Sequence, residues 1–451
     1  MNKSVLITYL KSFNLNHLKD FRSNLSYKEY QIITHENKVN EKILAKNPKF
    51  KVEICEKRKN IPSKIKEIVK KIPRHSLVLP YFSGDSNSKY AIQVYNDTFS
   101  TKIKCGDFRI KSQMNNFLGK LSQKKNWRLD YNALQKLTYA EISSQISSSF
   151  IVKPINAASS VLNFKVMKEE EWERAKLKLK KKYEYLLEEY LEGNLYSLDF
   201  FCDGKNIFLL CFAREIPFAE LIEKFSPHYL EKYQTIPVDF LHFLPIRYTL
   251  DLQKLSKLEL NYVKQLGQKL IEKQYRGFIH LEYKIQRKTG KIGFIEWGAR
   301  LGWSRAQFIK SMYGVRVENI PHDLLYKRDY RNFVEKEGLM LLKNRNFDKN
   351  FIGIKTNVFQ KTHLVDILHK IPNYLKVSFA SFLKEFLDKT WHIKINSLKF
   401  VIKTSSDHCL YPFYERGDTQ FSYIMEIEKE SFKKFLHKKH RILEKLVFHD
   451  Y

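Results

Sequence analysis

Apolar residues recur at every second position in several short runs along the first hundred residues, which predicts β-strands there. The predicted strands span residues 5–9, 30–34, 51–55 and 76–81. Between them, residues 17–25 and 63–71 have the character of helices. This alternation of strand and helix favours a small open sheet with parallel strands. The pattern therefore predicts a βαβ domain over residues 1–106.

The segment from residue 107 to residue 326 mixes helices with antiparallel hairpins. One hairpin joins residues 196–201 to residues 207–212 across Asp203-Gly204, and an Asp-Gly pair between two apolar runs is a strong turn signal. A second hairpin joins residues 278–286 to residues 291–297 across a turn that contains Gly290. The other predicted elements are strands at 150–154 and 185–191 and helices at 168–182 and 255–274. Together these elements predict an α+β unit over residues 107–326.

The segment from residue 327 to residue 451 gives weaker signals. Its predicted elements are helices at 362–370 and 382–387, a hairpin at 391–404 and a terminal helix at 429–447. The terminal helix has one apolar face amid Lys and His. Docking on its own domain is the commoner arrangement for such a helix, and contact with a membrane or a partner is the alternative. The predicted fold class is thus α/β and α+β, with a C-terminal α+β extension over residues 327–451.

The chain is strongly basic, with 80 Lys and Arg against 49 Asp and Glu, a formal net charge of +31. Such a charge suits nucleic acid, an anionic membrane surface or acidic small substrates such as nucleotides. The basic residues are spread from end to end, whereas a nucleic-acid interface needs them clustered. Nucleic acid is therefore disfavoured as the main ligand, and the charge does not choose between a membrane surface and small-molecule substrates.

The cysteines and the hydropathy bear on the compartment. The five cysteines are scattered, odd in number and never spaced C-x-x-C, which disfavours a zinc ribbon or a disulfide framework. No run reaches the roughly 18 apolar residues that a membrane-spanning helix needs. We therefore expect a cytoplasmic protein without a membrane span. Its oligomeric state stays open, with a dimer as one option.

Two acidic residues, Glu282 and Glu296, lie fourteen positions apart on the paired strands of the second hairpin. Because side-chain direction repeats every two residues along a strand, both can lie on one face. Adjacent carboxylates repel and normally need a cation between them, and few hard oxygen ligands suit a nucleotide-bound magnesium. Arg300 adds a planar donor group for phosphate or carboxylate. The alternative, given equal weight, is that Glu282 and Glu296 are simply two solvated acids on strands. His280 lies on the same face as Glu282 and is either a general base or a packed strand histidine.

A lysine leaves the predicted strand at 150–154. Lys153 stands where it can meet a phosphate, and the small residues that follow, with Ser159 and Ser160 among them, let backbone N–H groups approach one. By itself, a solvated lysine beside a Ser-rich loop is the commoner case.

The predicted strand at 185–191 runs into an acidic and aromatic exit before Gly193. Glu188, Tyr190 and Leu191 could line an adenine site there, with backbone groups contacting the purine edge. The alternative is an edge strand with a polar turn.

Taken in this order and spacing, the three motifs resemble the ATP-grasp superfamily. That family has a lysine-ending strand with a small-residue loop, an acid-rich hinge strand before a glycine, and paired metal acids followed by an arginine. The resemblance covers about residues 107–326, and residues 1–106 look like the Rossmann-like domain usually found ahead of it. The phrase at 296–302 looks closest to carboxylate–amine ligases for amino acids and dipeptides.

The resemblance implies a role for each matching residue. Lys111 and Lys153 would bind the ATP phosphates, although Lys102, Lys104 and Lys120 compete with Lys111. The remaining roles that it implies are Ser159 and Ser160 in the loop over the phosphates, Glu188, Tyr190 and Leu191 around the adenine, Glu282 and Glu296 on Mg²⁺ or Mn²⁺, Arg300 at the transferred phosphoryl group and Arg305 at the substrate carboxylate.

Three positions depart from the family pattern. The loop at 156–160 has no glycine, Gly298 stands where an Asn ligand is common, and Leu195 stands where an acid often reaches the ribose. The resemblance implies an ATP- and Mg²⁺-dependent, ADP-forming carboxylate–amine ligase that works through an acyl-phosphate. The alternatives are a catalytically weakened nucleotide- or polyanion-binding module and a kinase-like member that stops at phosphoryl transfer.

Overall fold

The structure is a computed structural model that describes part of the chain. The described residues are 5–9, 29–34, 50–54, 63–64, 67, 70, 77–78, 108, 110–122, 124–156, 162–216, 246–286, 289–302, 305–317, 319–344, 349–356, 395–402, 421–428, 431, 434 and 437.

Four strands near the N-terminus form a parallel sheet in the order β3-β2-β1-β4. They are β1 (Val5–Tyr9), β2 (Glu29–Thr34), β3 (Phe50–Ile54) and β4 (Leu77–Val78). The predicted parallel sheet is confirmed, and of the strand predicted at 76–81 only residues 77 and 78 lie within the described part of the chain. Parallel neighbours need a crossover between them, which agrees with the long segments that separate these strands.

A second sheet forms a small lobe, in the order β5-β8-β6-β7 with antiparallel neighbours. Its strands are β5 (Asn126–Leu129), β6 (Phe150–Pro154), β7 (Phe164–Val166) and β8 (Tyr185–Glu189). Phe150 and Val152 point into a buried core with Trp172, because alternate residues of a strand share a face. Lys153 therefore faces the opposite side of the sheet from that core.

A third sheet of ten strands forms the main body, with β13-β12-β9-β10-β11-β16-β18-β17 in order. Off this path, β15 pairs with β10 and β14 pairs with β15. The strands are β9 (Asn194–Cys202), β10 (Ile207–Ile216), β11 (Ile246–Leu250), β12 (Gly277–Ile285), β13 (Ile292–Gly298), β14 (Phe333–Lys336), β15 (Leu339–Leu342), β16 (Lys349–Thr356), β17 (Ile395–Ile402) and β18 (Phe421–Glu428).

Seven α-helices have both ends among the described residues, and the described residues 63, 64, 67, 70, 431, 434 and 437 are also helical. The seven are α1 (Lys111–Leu118), α2 (Tyr131–Lys136), α3 (Tyr139–Gln145), α4 (Glu169–Lys178), α5 (Lys257–Glu272), α6 (Arg305–Tyr313) and α7 (Ile320–His322), with 3₁₀ turns at Gly119–Leu121 and Leu252–Lys254 and a π-helix at Asp323–Lys327. Helix α5 begins with a capping box between Ser256 and Glu259 and buries its apolar residues in the large core. Among the described residues, no helix is long and apolar enough to cross a membrane.

Both predicted hairpins are confirmed, as β9–β10 and β12–β13. The hairpin predicted at 391–404 is wrong over its described residues, because 395–402 form one strand whose partner is β18. A register shift between Ile395 and Ser397 places the polar residue Asn396 in a bulge near the start of this strand, and the chain does not turn there. The helices predicted at 362–370 and 382–387 lie outside the described residues, as does most of the one predicted at 429–447.

The domain boundaries at 106 and 326 stay predictions. Strands β14 to β18, from the predicted C-terminal extension, belong to the same sheet as the strands of the central unit.

Candidate active site

The two predicted metal acids are direct cross-strand partners. Glu282 on β12 pairs in register with Glu296 on β13, and a bulge follows immediately at Tyr283. Residues opposite each other on antiparallel strands hold their Cβ atoms about 4.5–5.5 Å apart, on one face. Both side chains are half-buried. The sequence period of two therefore places two carboxylates side by side at the end of the large sheet.

The small lobe contributes a buried carboxylate that holds two lysines. The Glu188 carboxylate lies 2.6 Å from the Lys153 ammonium and 3.1 Å from that of Lys124. The amide of Asn115 donates to the same carboxylate over 2.9 Å. Burial alone would raise the pKa of Glu188, but the two ammonium groups outweigh it and lower that pKa to about 2. Glu188 is therefore ionised and fixes both lysines.

Lys124 connects the two groups of acids. Burial lowers the pKa of its ammonium to about 8. The Glu188 and Glu296 carboxylates both act in the opposite direction and raise that pKa, Glu188 more strongly. Lys124 thus lies within electrostatic reach of Glu188 and of Glu296, one of the two predicted metal acids. Sequence reasoning missed this residue, because Lys124 sits in a lysine-rich stretch with no local feature that distinguishes it.

The hinge segment, residues 188–191, carries the predicted adenine contacts. The Tyr190 ring has the Lys165 ammonium 4.2 Å and the Lys284 ammonium 4.3 Å from its centre. Lys284 also donates to the Leu191 carbonyl oxygen over 2.7 Å. The Leu191 side chain is buried and packs on Gly293, where an added Cβ would lie 2.1 Å from Leu191 Cδ1. The hinge is thus held against β12 and β13 of the large sheet.

A buried polar network lies beside Glu282 on the large sheet. The two ring nitrogens of His280 lie 3.1 Å from Asp199 Oδ1 and 3.2 Å from Glu282 Oε1. Burial alone would lower the pKa of the imidazole, but these carboxylates raise it to about 9. An imidazolium can donate to both acids at once, whereas a neutral ring has one donor.

Arg305 anchors the other end of this network and is fully buried. Its Nε donates to Asp199 Oδ2 over 2.9 Å, and its Nη2 donates to Glu215 and to Ser197. Among the described residues, its Nη1 has no hydrogen-bond partner. The predicted role of Arg305 at a substrate carboxylate stays a prediction, while its observed partners are two protein carboxylates.

The remaining predicted residues fall at separate places. Lys111 is buried at the start of α1, where its backbone N–H donates to the Ile155 carbonyl over 3.0 Å. Arg300 follows β13, is half-buried and donates to the Leu301 carbonyl over 3.2 Å. Ser159 and Ser160 lie outside the described residues.

The donor chemistry of the acid pair fits a nucleotide-bound divalent cation. Such an ion is typically held by one or two carboxylates together with oxygens of the phosphates. Glu282 and Glu296 supply two hard carboxylates, and the buried lysines of the small lobe supply positive charge for phosphates. Within the described residues, no group of three or more His, Cys, Asp or Glu side chains could hold a metal ion.

Comparison with known proteins gives one family match and a set of similar structures. Residues 124–226 match the family of ATP-grasp domains. An L-amino acid ligase from Bacillus licheniformis is 12% identical at a TM-score of 0.60, over 98% of both chains. An N5-carboxyaminoimidazole synthetase from Staphylococcus aureus, complexed with ADP, is 10% identical at 0.55, also over 98% of both. A search of curated proteins finds no match.

A third similar structure carries the nucleotide with its metal. It is the biotin carboxylase domain of the Hydrogenobacter thermophilus 2-oxoglutarate carboxylase, in complex with MgADP and bicarbonate. It is 10% identical at a TM-score of 0.56, covering 95% of this chain and 86% of that one.

The protein therefore has the ATP-grasp fold, and its residues 124–226 match the model of ATP-grasp domains, which confirms the resemblance drawn from the sequence. Its mixed α/β and α+β content agrees with the predicted fold class. The structures that it resembles include an L-amino acid ligase, and the identities of 10–12% make this a likeness of fold.

Proposed function

We propose that this protein is an ATP-dependent, ADP-forming ligase that joins a carboxylate to an amine, with an amino acid or a peptide-like molecule as substrate. The observation that carries the proposal is the register pairing of Glu282 with Glu296, within electrostatic reach of the buried Lys124–Glu188–Lys153 cluster. This arrangement offers cation ligands on one lobe and phosphate-binding charge on the other. The fold that it shares with an L-amino acid ligase supports the same choice.

In the proposed reaction, the substrate carboxylate attacks the γ-phosphate of ATP, which forms an acyl-phosphate and releases ADP. The amine then attacks the carbonyl carbon of the acyl-phosphate, loses a proton and releases phosphate. When bound, Mg²⁺ would neutralise charge on the phosphate oxygens, and Mn²⁺ could substitute for it. Lys153 and Lys124 would hold the phosphates as fixed positive charges, so that no solvent reorganisation is needed as charge develops. Glu188 would keep both ammonium groups in place.

The remaining residues would orient the reactants. The hinge at Tyr190 and Leu191 would line the adenine, and Lys111 would add a second phosphate contact from α1. Arg300, two residues beyond the strand that bears Glu296, would place its guanidinium beside the transferred phosphoryl group. Ser159 and Ser160 would cover the phosphates and exclude the water that hydrolyses an acyl-phosphate.

The first test replaces one metal acid by its amide. We expect Glu296→Gln to abolish Mg²⁺-dependent ADP release from ATP with pooled amino acids, while the melting temperature stays near that of the wild type. Glu335→Gln is the matched control, because Glu335 is an exposed strand acid on β14. Near-normal ADP release by the Glu296 variant would remove this residue from the site.

The second test concerns the nucleotide itself. We expect Lys153→Ala to weaken ATP binding in calorimetry, since a buried phosphate-facing ammonium is lost. Unchanged nucleotide affinity would contradict the phosphate role of Lys153. ATP binding without ADP release, together with salt-sensitive binding of a polyanion, would favour the alternative of a catalytically weakened binding module. Gly298 supports that alternative, because it stands where a metal-binding Asn is common in the family.

A further inference from the structure

His280 bridges a proposed metal acid to a buried charge network. Its Nδ1 faces Asp199 across the register pair of β9 and β12, and its Nε2 faces Glu282 two residues along the same strand. Carboxylates only accept hydrogen bonds, so the ring donates towards both. The contact to Glu282 takes one carboxylate oxygen, Oε1, and leaves the other for a ligand.

Asp199 is held from three sides and is fully buried. It accepts from the Gly302 N–H over 2.6 Å and from Arg305 Nε over 2.9 Å, in addition to its contact with His280. Arg305 is in turn fixed by Glu215, also fully buried. These contacts fix the position of the Asp199 carboxylate, and with it the position of the imidazole that it contacts.

The packing around the ring is equally tight. A Cβ added at Gly302 would lie 2.6 Å from both Cε1 and Nδ1 of His280, which is closer than atoms can approach. Position 302 therefore accepts the ring only because it lacks a side chain. The imidazole has one orientation available, and its Nε2 points at Glu282.

We propose that His280 is a positioning residue, fixed by Asp199 and Arg305, that holds the Glu282 carboxylate in the orientation in which it binds the divalent cation. This inference rests on the proposed function. Hydrogen bonds to a ligating side chain orient it, and their loss typically weakens metal binding by about 10–100-fold. A network that only supported the fold would stabilise the sheet without affecting metal affinity.

Two neutral variants separate these roles. The amide of His280→Gln can take the place of Nε2 and donate to Glu282, whereas the amide of His280→Asn takes the place of Nδ1 and reaches Asp199. Mn²⁺ binding to the ADP-loaded full-length protein, measured by electron paramagnetic resonance, gives a readout without turnover. Melting temperatures of both variants are measured alongside.

We expect His280→Asn to raise the Kd for Mn²⁺ by about tenfold. His280→Gln should stay within about threefold of the wild type. The KM for Mg²⁺ in ADP release should follow the same order, with kcat at saturating Mg²⁺ largely retained in the Gln variant.

Unchanged Mn²⁺ affinity in the Asn variant would overturn the positioning role, whatever its melting temperature. Equal losses in both variants would overturn it too, because they would assign the effect to the buried charge and not to the contact with Glu282. Failure of the wild type to bind Mn²⁺ with ADP would instead contradict the proposed function, and the positioning role with it.

Discussion

Removing the charge of Glu188 should destabilise the small lobe, because two buried ammonium groups would lose their shared counter-ion. The carboxylate has its pKa lowered to about 2 from an ordinary value of 4.5. A difference of about 2.5 pKa units corresponds to about 3 kcal/mol of stability at neutral pH. We therefore expect Glu188→Gln to lower the free energy of unfolding by about 3 kcal/mol at pH 7, near the cost of breaking a buried ion pair.

The pH dependence of that difference follows from the direction of the shift. A carboxyl whose pKa is lowered in the folded state contributes stability that is present above the unfolded pKa and is lost as the pH falls towards the folded pKa. The gap between wild type and Glu188→Gln should therefore narrow from about 3 kcal/mol at pH 7 to about 1 kcal/mol at pH 3. Lys124, whose pKa is already about 8, limits the loss by giving up its proton.

Urea unfolding followed by tryptophan fluorescence measures this difference, since Trp127 and Trp172 lie in the same lobe as Glu188. Glu189→Gln is the matched control, because Glu189 is the next residue on β8 and is only half-buried. ATP should restore more stability to Glu188→Gln than to the wild type, as phosphate replaces the missing anion. A Glu188 variant as stable as the control at pH 7 would refute the counter-ion role.

Three further outcomes follow from the site. At pH 8, ATP binding should take up about half a proton through Lys124, because nearby phosphate raises an ammonium pKa; calorimetry in buffers of different ionisation enthalpy measures it, and Lys124→Met should abolish it. Gly293→Ala should displace Leu191 and raise the Kd for ATP about tenfold, whereas an unchanged Kd would exclude Leu191 from the adenine site. At Gly298 an added Cβ would lie 3.5 Å from its nearest neighbour, so Gly298→Asn should fit and lower the KM for Mg²⁺. An unchanged KM for Mg²⁺ would show that a side chain at position 298 does not contact the cation.

The parts of the site that the sequence predicted are those that depend on local pattern. Glu282 and Glu296 lie on strands joined by one short turn, so the two-residue period alone places them side by side. The hairpin at Asp203-Gly204 follows in the same way from turn chemistry. The hairpin predicted at 391–404 was wrong over the described residues, because 395–402 form one continuous strand with a register shift between Ile395 and Ser397.

The parts that were missed depend on contacts between distant positions. Lys124 and Glu188 are 64 positions apart, and Asp199 and Arg305 are 106 apart. No local pattern pairs such residues. One signal was nevertheless present, since Asp199 interrupts the apolar run of β9 and a buried acid in such a strand needs a partner.

Strand β10 meets two different neighbours along one edge, and this limits how the chain can be shortened. Its first half pairs with β15 through Phe208 and Leu209, and its second half pairs with β11. Strand β11 pairs in turn with β16. A fragment ending at residue 326 would lack β15 and β16, so β10 and β11 would each lose one hydrogen-bonding partner. Their unpaired backbone groups could then pair with a strand of another molecule. Because β16 pairs in turn with β18, expression fragments that include residues 124–226 should extend at least through residue 428, the end of β18.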